Sequence, residues 1–319
     1  MSVQTLIKRN TGMTTLGEVA GQVEKMSENN WDELVKVKEI QLPDIDHMVI
    51  GKESYEMRLL AQRGIAYRLA VPTQYIKRCP DYLQGLNLDY WLQQEQNEEL
   101  FVRFDGNDVR AIFTPRYQPI DNFEIIEKLH TQGYVDKTKV QCYLDKEMMV
   151  LNIPESDKTF SINADKMTPG ISISNSEVGL ASVAIAAYIL RLICTNGLIA
   201  PAQVSQAKYK HVSRKILDIF PEVLSGAREE ATTQQKQLKI SMASSVADPV
   251  STMESFNTRF QLNVTERQAL EWALAENGVP GTMFHIVQAY TKSANWEGLS
   301  AESSYRMQRI GGSILELVN

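Results

Sequence analysis

In the middle of this chain the apolar pattern switches from helical spacing to strict alternation. Leu100–Phe104 and Val109–Phe113 read as two short strands. The residues between them, Asp105-Gly106-Asn107-Asp108, are a strong hairpin signal, because glycine and asparagine tolerate the positive φ of tight turns. A hairpin here commits the centre of the chain to an antiparallel sheet. It also sets a charge problem. If Phe104 pairs with Val109, Arg103 falls opposite Arg110, with Cβ atoms about 5 Å apart on one face. Like charges so placed repel, and Arg116 follows closely. Either a bound anion such as phosphate compensates them, since guanidinium forks match phosphate geometry, or nearby acids such as Asp105 and Asp108 do.

The rest of the chain frames this hairpin. The first thirty residues read as a polar, poorly packed arm with a short helix near 16–26, followed by an extended or edge element over 32–42. Helices are predicted over 53–69, 74–78 and 80–96, the first stopped by Val71-Pro72 and the second capped by Thr73. Asn122–Gln132 is a further helix. Val140–Leu144 and Met148–Ile153 form a second hairpin, and Gly170–Asn175 alternates as a strand. Ala181–Ile193 is apolar on both sides, so periodicity leaves strand and helix open, with Asn196-Gly197 as a break. From Gln203 onward the pattern is helical. Thr265-Glu266-Arg267-Gln268 has capping-box spacing for a helix that Gly278 ends, and helices follow over 282–293 and 301–317. The fold class expected is α+β: a central antiparallel sheet flanked by N-terminal helices and a C-terminal helical region. The expected division is an arm with edge elements (1–50), a central α+β domain (51–242) and a C-terminal helical region (253–319), with the linker around Ser244, Ser245, Asp248 and Pro249.

Several chemistries find no support. Cys79, Cys142 and Cys194 form no CxxC pair, and the four histidines are scattered, so no metal site and no disulfide framework is indicated. Cys194 reads as packing rather than as a nucleophile. No P-loop, GxGxxG or GxSxG occurs, and no cofactor is implied. No signal peptide is visible, and the longest apolar stretch, 178–193, is shorter than the ~20 residues of a membrane span. A bacterial host's cytoplasm is the expected compartment. The net charge of −6 argues against a generally basic nucleic-acid binder, though not against a local basic patch.

Two further segments carry candidate residues. Arg191 lies inside the apolar run and must be paired or face a polar site. Pro201–Lys215 has no acid and contains Lys208, Lys210, Arg214 and Lys215, with Tyr209 interleaved. Basic residues with an aromatic suit a nucleic-acid backbone plus base stacking, although such a face is also an ordinary solvated one. The turns of Ser174-Asn175-Ser176-Glu177-Val178-Gly179 and Asn196-Gly197 are either anion-binding concavities or turn chemistry alone.

Four places in the sequence resemble a family of phage/plasmid-like proteins catalogued as a domain of unknown function. They are Arg63–Arg68 with Pro72, Tyr75, Arg78-Cys79-Pro80 and Asn87; Val109–Phe113 with Arg116-Tyr117 and Asp121-Asn122; Ile173–Gly179; and Arg191-Leu192 with Cys194–Leu198 and His211. The resemblance spans about Arg63–Lys215. It implies a mobile-element setting and brings no catalytic residues. In that setting the expected function is DNA binding, single-strand binding or annealing in particular, with Arg103, Arg110, Arg116, Arg191 and the 208–215 cluster on phosphates and homo-oligomerisation in keeping. The rival expectations are an enzyme acting on a phosphorylated or nucleotide substrate, with Glu177 as acid or base and Arg191 among the anion clamps, and a phage protein that binds a host protein.

Overall fold

The computed structural model of the protein describes residues 13–162, 165–191, 196–199 and 214–318. In chain order these form β1 (Met13–Thr15), α1 (Leu16–Ser27), β2 (Asn30–Lys36), β3 (Ile40–Gln41), β4 (His47–Ile50), β5 (Glu53–Met57), α2 (Leu59–Arg68), α3 (Thr73–Ile76), α4 (Asp81–Leu92), β6 (Glu99–Asp105), β7 (Asp108–Phe113) and α5 (Asn122–Thr131). Then come β8 (Lys139–Leu144), β9 (Met149–Pro154), β10 (Phe160–Ile162), β11 (Asp165–Asn175), β12 (Ala184–Arg191), β13 (Asn196–Ile199), α6 (Lys215–Asp218) and α7 (Phe220–Thr233). Five helices close the chain: α8 (Gln235–Ala243), α9 (Pro249–Arg259), α10 (Val264–Asn277), α11 (Met283–Ser293) and α12 (Ala301–Glu316). The α+β class stands, with the C-terminal region helical.

The strands make two sheets where one was expected. The larger runs β1-β8-β9-β11-β12-β13, with β10 on β11; the smaller runs β2-β6-β7-β5-β4-β3. All pairings are antiparallel except β5 with β7. The large sheet is covered on both sides. One face (Val140, Leu151, Ile171, Ile185) meets α1, α5 and α7 through Val19, Ile125 and Leu224. The other face (Tyr143, Tyr188, Leu190) meets α12 at Ala301 and Tyr305. That double cover explains why Ala184–Leu190 is apolar on both sides: it lies in strand β12, with helices above and below. A polar seam runs through the second face, where Tyr188 donates to Gln141 (2.8 Å) and Asn152 to Gln308 (3.1 Å). The small sheet packs against α2 and α4 around Ile65, Leu88 and Phe104.

Several expectations shift. Helix α1 is well packed, with Leu16, Val19 and Val23 buried. The helix placed over 53–69 is a strand, β5, followed by α2, because Glu53–Met57 pairs with β4. Pro72, rather than Thr73, caps α3. The capping box of α10 is Asn263 with Glu266, two residues earlier than the Thr265 spacing suggested. Gly278 ends that helix at φ 78°, as read from the sequence. Asn196-Gly197 is no break but part of β13, paired to Arg191 and Leu190. Asp248 and Pro249, taken as linker, open α9.

Candidate functional site

The Arg103–Arg110 pairing is corrected by one residue. Phe104 does pair with Val109, but Arg103 pairs with Ala111, and a β-bulge leaves Arg110 as the extra residue. The inserted residue releases Arg110 from the ladder, and both arginines reach Glu177, just past β11 on the other sheet.

Glu177 ties the two sheets together. Its Oε2 accepts from Arg110 (2.7 Å) and its Oε1 from the Asn122 backbone N–H at the start of α5 (2.7 Å). Its carbonyl accepts from Arg103 Nη1 (3.1 Å) and the Tyr117 hydroxyl (3.2 Å). Arg103 is 1% exposed and bonds with its other two nitrogens to Asp32 (2.9 Å) and Asp121 (2.6 Å). Burial acts to lower the guanidinium's proton affinity, but the Asp32 and Asp121 carboxylates outweigh it and hold it above its ordinary value. Tyr117 is pushed up to about 12 by burial, so its hydroxyl is neutral and donates. Its ring stacks on Phe113 with centroids 3.7 Å apart. Gly179, at φ 83°, leaves room for that ring, since a Cβ there would stand 2.6 Å from Phe113. In the Ser174–Gly179 turn, Ser176 Oγ accepts from the Leu180 N–H (3.0 Å) and Asn175 donates to the Ile120 carbonyl (2.9 Å), while Ser174 Oγ and Asn175 Oδ1 are buried with no hydrogen-bond partner among the described residues.

The other predicted residues are dispersed. Arg116 is exposed near the start of the β7–α5 loop. Arg191 has the partner its apolar setting demanded: Nε and Nη2 bond Asp165 at 2.8 and 2.5 Å, and its guanidinium lies 5.4 Å from the Phe284 ring centre. Arg214 bonds Glu124 and the Pro119 carbonyl, and Lys215 is exposed at the start of α6. Lys208, Tyr209 and Lys210 lie outside the described residues, as do Cys194 and His211.

A surface that motif reading passed over stands out instead. Helices α2 to α4 and the end of β7 border a groove of about 1050 Å³ lined by Tyr67, Tyr75, Asn87, Trp91, Phe113 and Tyr117. Tyr67 is 90% exposed, Tyr75 49% and Trp91 45%. Their outward placement follows from what α4 buries. Gln84, Gly85, Leu88 and Leu92 face inward, and Gly85 lets the helix approach Pro43, whose carbonyl a Cβ would meet at 2.5 Å. Asp89 and Gln84 accept from the Leu42 and Ile45 N–H groups (2.7 and 3.1 Å), which fixes the helix's rotation. Ala70, at the rim, holds a left-handed φ of 55° where α2 closes. A signal for this surface was present in the sequence: Arg63–Pro80 contains Arg63, Arg68, Lys77 and Arg78, no acid, and Tyr67 and Tyr75 between them. That is the same basic–aromatic interleaving noted for 201–215.

Among the described residues no group of three or more His, Cys, Asp or Glu side chains could hold a metal ion. Burial pushes the Cys142 thiol up to about 12, away from thiolate chemistry. No helix of the described residues is long and apolar enough to cross a membrane.

Residues 110–309, more than half of the chain, match the family described as "Domain of unknown function (DUF932)". The chain belongs to this family. No curated protein and no solved structure matches it.

Proposed function

We propose that this DUF932 protein binds single-stranded nucleic acid, DNA in the phage and plasmid setting of the proteins it resembles, through the groove between α2–α4 and the end of β7. The observation that carries the reading is the set of outward-facing rings, Tyr67, Tyr75 and Trp91, around one groove. Exposed rings accept unpaired bases by stacking, at about 1–3 kcal/mol per base, without needing a particular sequence. Within the groove lining Arg68 is paired to Glu95 (3.4 Å), so phosphate contacts fall to cations beside it. Lys77 and Arg78, both exposed, follow Tyr75 after the buried Ile76, and exposed Arg116 precedes the groove residue Tyr117. This moves the proposed contact surface away from Arg103 and Arg110, whose charges the protein's own acids already meet.

The test is an anisotropy titration of the full chain with oligo(dT) and with duplex of equal length, across salt. Single strands should bind more tightly, and log affinity should fall linearly with log salt. Tyr67→Ala and Tyr75→Ala should each weaken binding by roughly 5- to 150-fold, the equivalent of one lost stack. Undiminished affinity in the Tyr67→Ala/Tyr75→Ala double variant would sink the proposal. The rival enzymatic reading needs Glu177 and Arg191 to converge. Glu177 is held by Arg110 and the Asn122 amide, whereas Arg191 is held by Asp165, so no observation favours it.

A further inference from the structure

We propose that the outer edge of β2 pairs with the same edge of a second copy of the chain, joining two small sheets across a two-fold axis at Leu34. The proposal does not depend on the nucleic-acid reading. Strand β2 ends the small sheet, and among the described residues only β6 borders it. Native edge strands are blunted by proline, a bulge, brevity or charged side chains, and of these devices β2 carries only the charges Asp32, Glu33 and Lys36. β2 has seven residues, no proline or glycine, and an unbroken register with β6.

The phase of the edge can be read from its ends. Gly106 N–H donates to the Asn29 carbonyl (2.9 Å), and Val37 N–H donates to the Glu98 carbonyl (2.9 Å). Odd-numbered residues therefore turn their backbone polar groups toward β6. Asn30, Asp32, Leu34 and Lys36 turn theirs outward, and none of these four is buried. A second copy can only pair these outward residues with its own.

Charge then selects the register. Of the antiparallel registers that keep at least three hydrogen-bonded residue pairs, an axis at Asp32 sets Asp32 against its copy. An axis at Glu33 sets Glu33 against its copy at about 4.5 Å between Cα atoms. Both oppose like charges, which destabilises a pairing. An axis at Leu34 opposes Leu34, 49% exposed, to its copy, and sets Asp32 across from Lys36 twice. Arg103 Nε bonds only Oδ1 of Asp32, which leaves Oδ2 to face the lysine. The contact is isologous and so closes at a dimer rather than growing into a filament.

The experiment uses the full-length protein. Light scattering after size exclusion, across a wide concentration range, should show a monomer–dimer equilibrium. Leu34→Pro deletes the outward N–H and spares the β2–β6 bonds. It should give a monomer with an unchanged far-UV circular dichroism spectrum. Lys36→Glu, which places an acid opposite Asp32, should weaken the dimer even if the proline variant fails to fold. Leu34→Cys should form a disulfide-linked dimer under mild oxidation, because directly paired Cα atoms lie about 5.5 Å apart, within disulfide reach. Glu33→Cys should not exceed the wild-type background. The proposal is overturned by a monomer at every concentration, as when the chain's own remaining residues cover the edge. It is equally overturned by a dimer that survives Lys36→Glu, or by equal cross-linking of Glu33→Cys and Leu34→Cys.

Discussion

Arg103 shows how a charge that looks functional in sequence becomes architectural in the fold. Each of its three guanidinium nitrogens has a protein acceptor, supplied by Asp32, the Glu177 carbonyl and Asp121. Removing one side of a buried ion pair strands the other. Arg103→Ala is therefore expected to lower stability by about 3–5 kcal/mol, read from urea unfolding. Loss of nucleic-acid affinity in Arg103→Ala with no change in unfolding midpoint would contradict that assignment. The exposed rings behave oppositely: Tyr67→Ala is expected to leave the midpoint nearly unchanged, because little of Tyr67 is buried.

At the scale of elements, the packing is set by small residues where backbones meet. Gly311 of α12 faces Thr291 of α11, and a Cβ at Gly311 would stand 2.4 Å from Thr291 Cγ2. Alanine in a helix is favoured over glycine by roughly 1 kcal/mol. Overpacking costs about 1–3 kcal/mol, so the clash outweighs the propensity. Gly311→Ala should lower the melting temperature, and Thr291→Ser, which deletes that methyl but keeps a hydroxyl able to bond the Val287 carbonyl, should restore it in the double variant. Additive effects of the two changes in calorimetry would show that the contact is not the cause. The bulge at Arg110 is a device of the same scale, since one extra residue re-aims a side chain across to the other sheet.

Across the whole molecule, charges from distant parts of the chain meet near the β8–β9 turn. Burial, then the charges of Asp145 and Glu302, raise the pKa of Glu147 above its ordinary value, opposed by Arg63 of α2. An acid with a raised folded-state pKa binds its proton more tightly when folded. Its contribution is unimpaired below the unfolded pKa and declines as pH rises through the raised one. Glu147→Gln should accordingly raise the melting temperature at neutral pH, with the gain vanishing in acid below the ordinary glutamate range. A gain that persists unchanged in acid would assign the effect to something other than titration.

The sequence by itself determined the elements whose signals are local. The turn at Gly106-Asn107, the second hairpin, α5, the stop at Gly278 and the demand of Arg191 for a partner were all legible, because turn chemistry and periodicity act within a few residues. Pairing between strands is set by contacts distant in sequence, and only the tertiary structure decided it. Met57, Leu60 and Ile65 recur at helical spacing, yet Glu53–Met57 is a strand because it pairs with β4. Ala184–Leu190 has no period because helices cover both faces of β12. The bulge that separates Arg103 from Arg110 leaves no mark in composition. Glu177, seventy residues away, meets Arg103 and Arg110 only because two sheets close on each other. The groove lay between these cases. Its basic–aromatic pattern was written in Arg63–Pro80, but which rings face outward depended on the face of α4 that packs against Leu42 and Pro43.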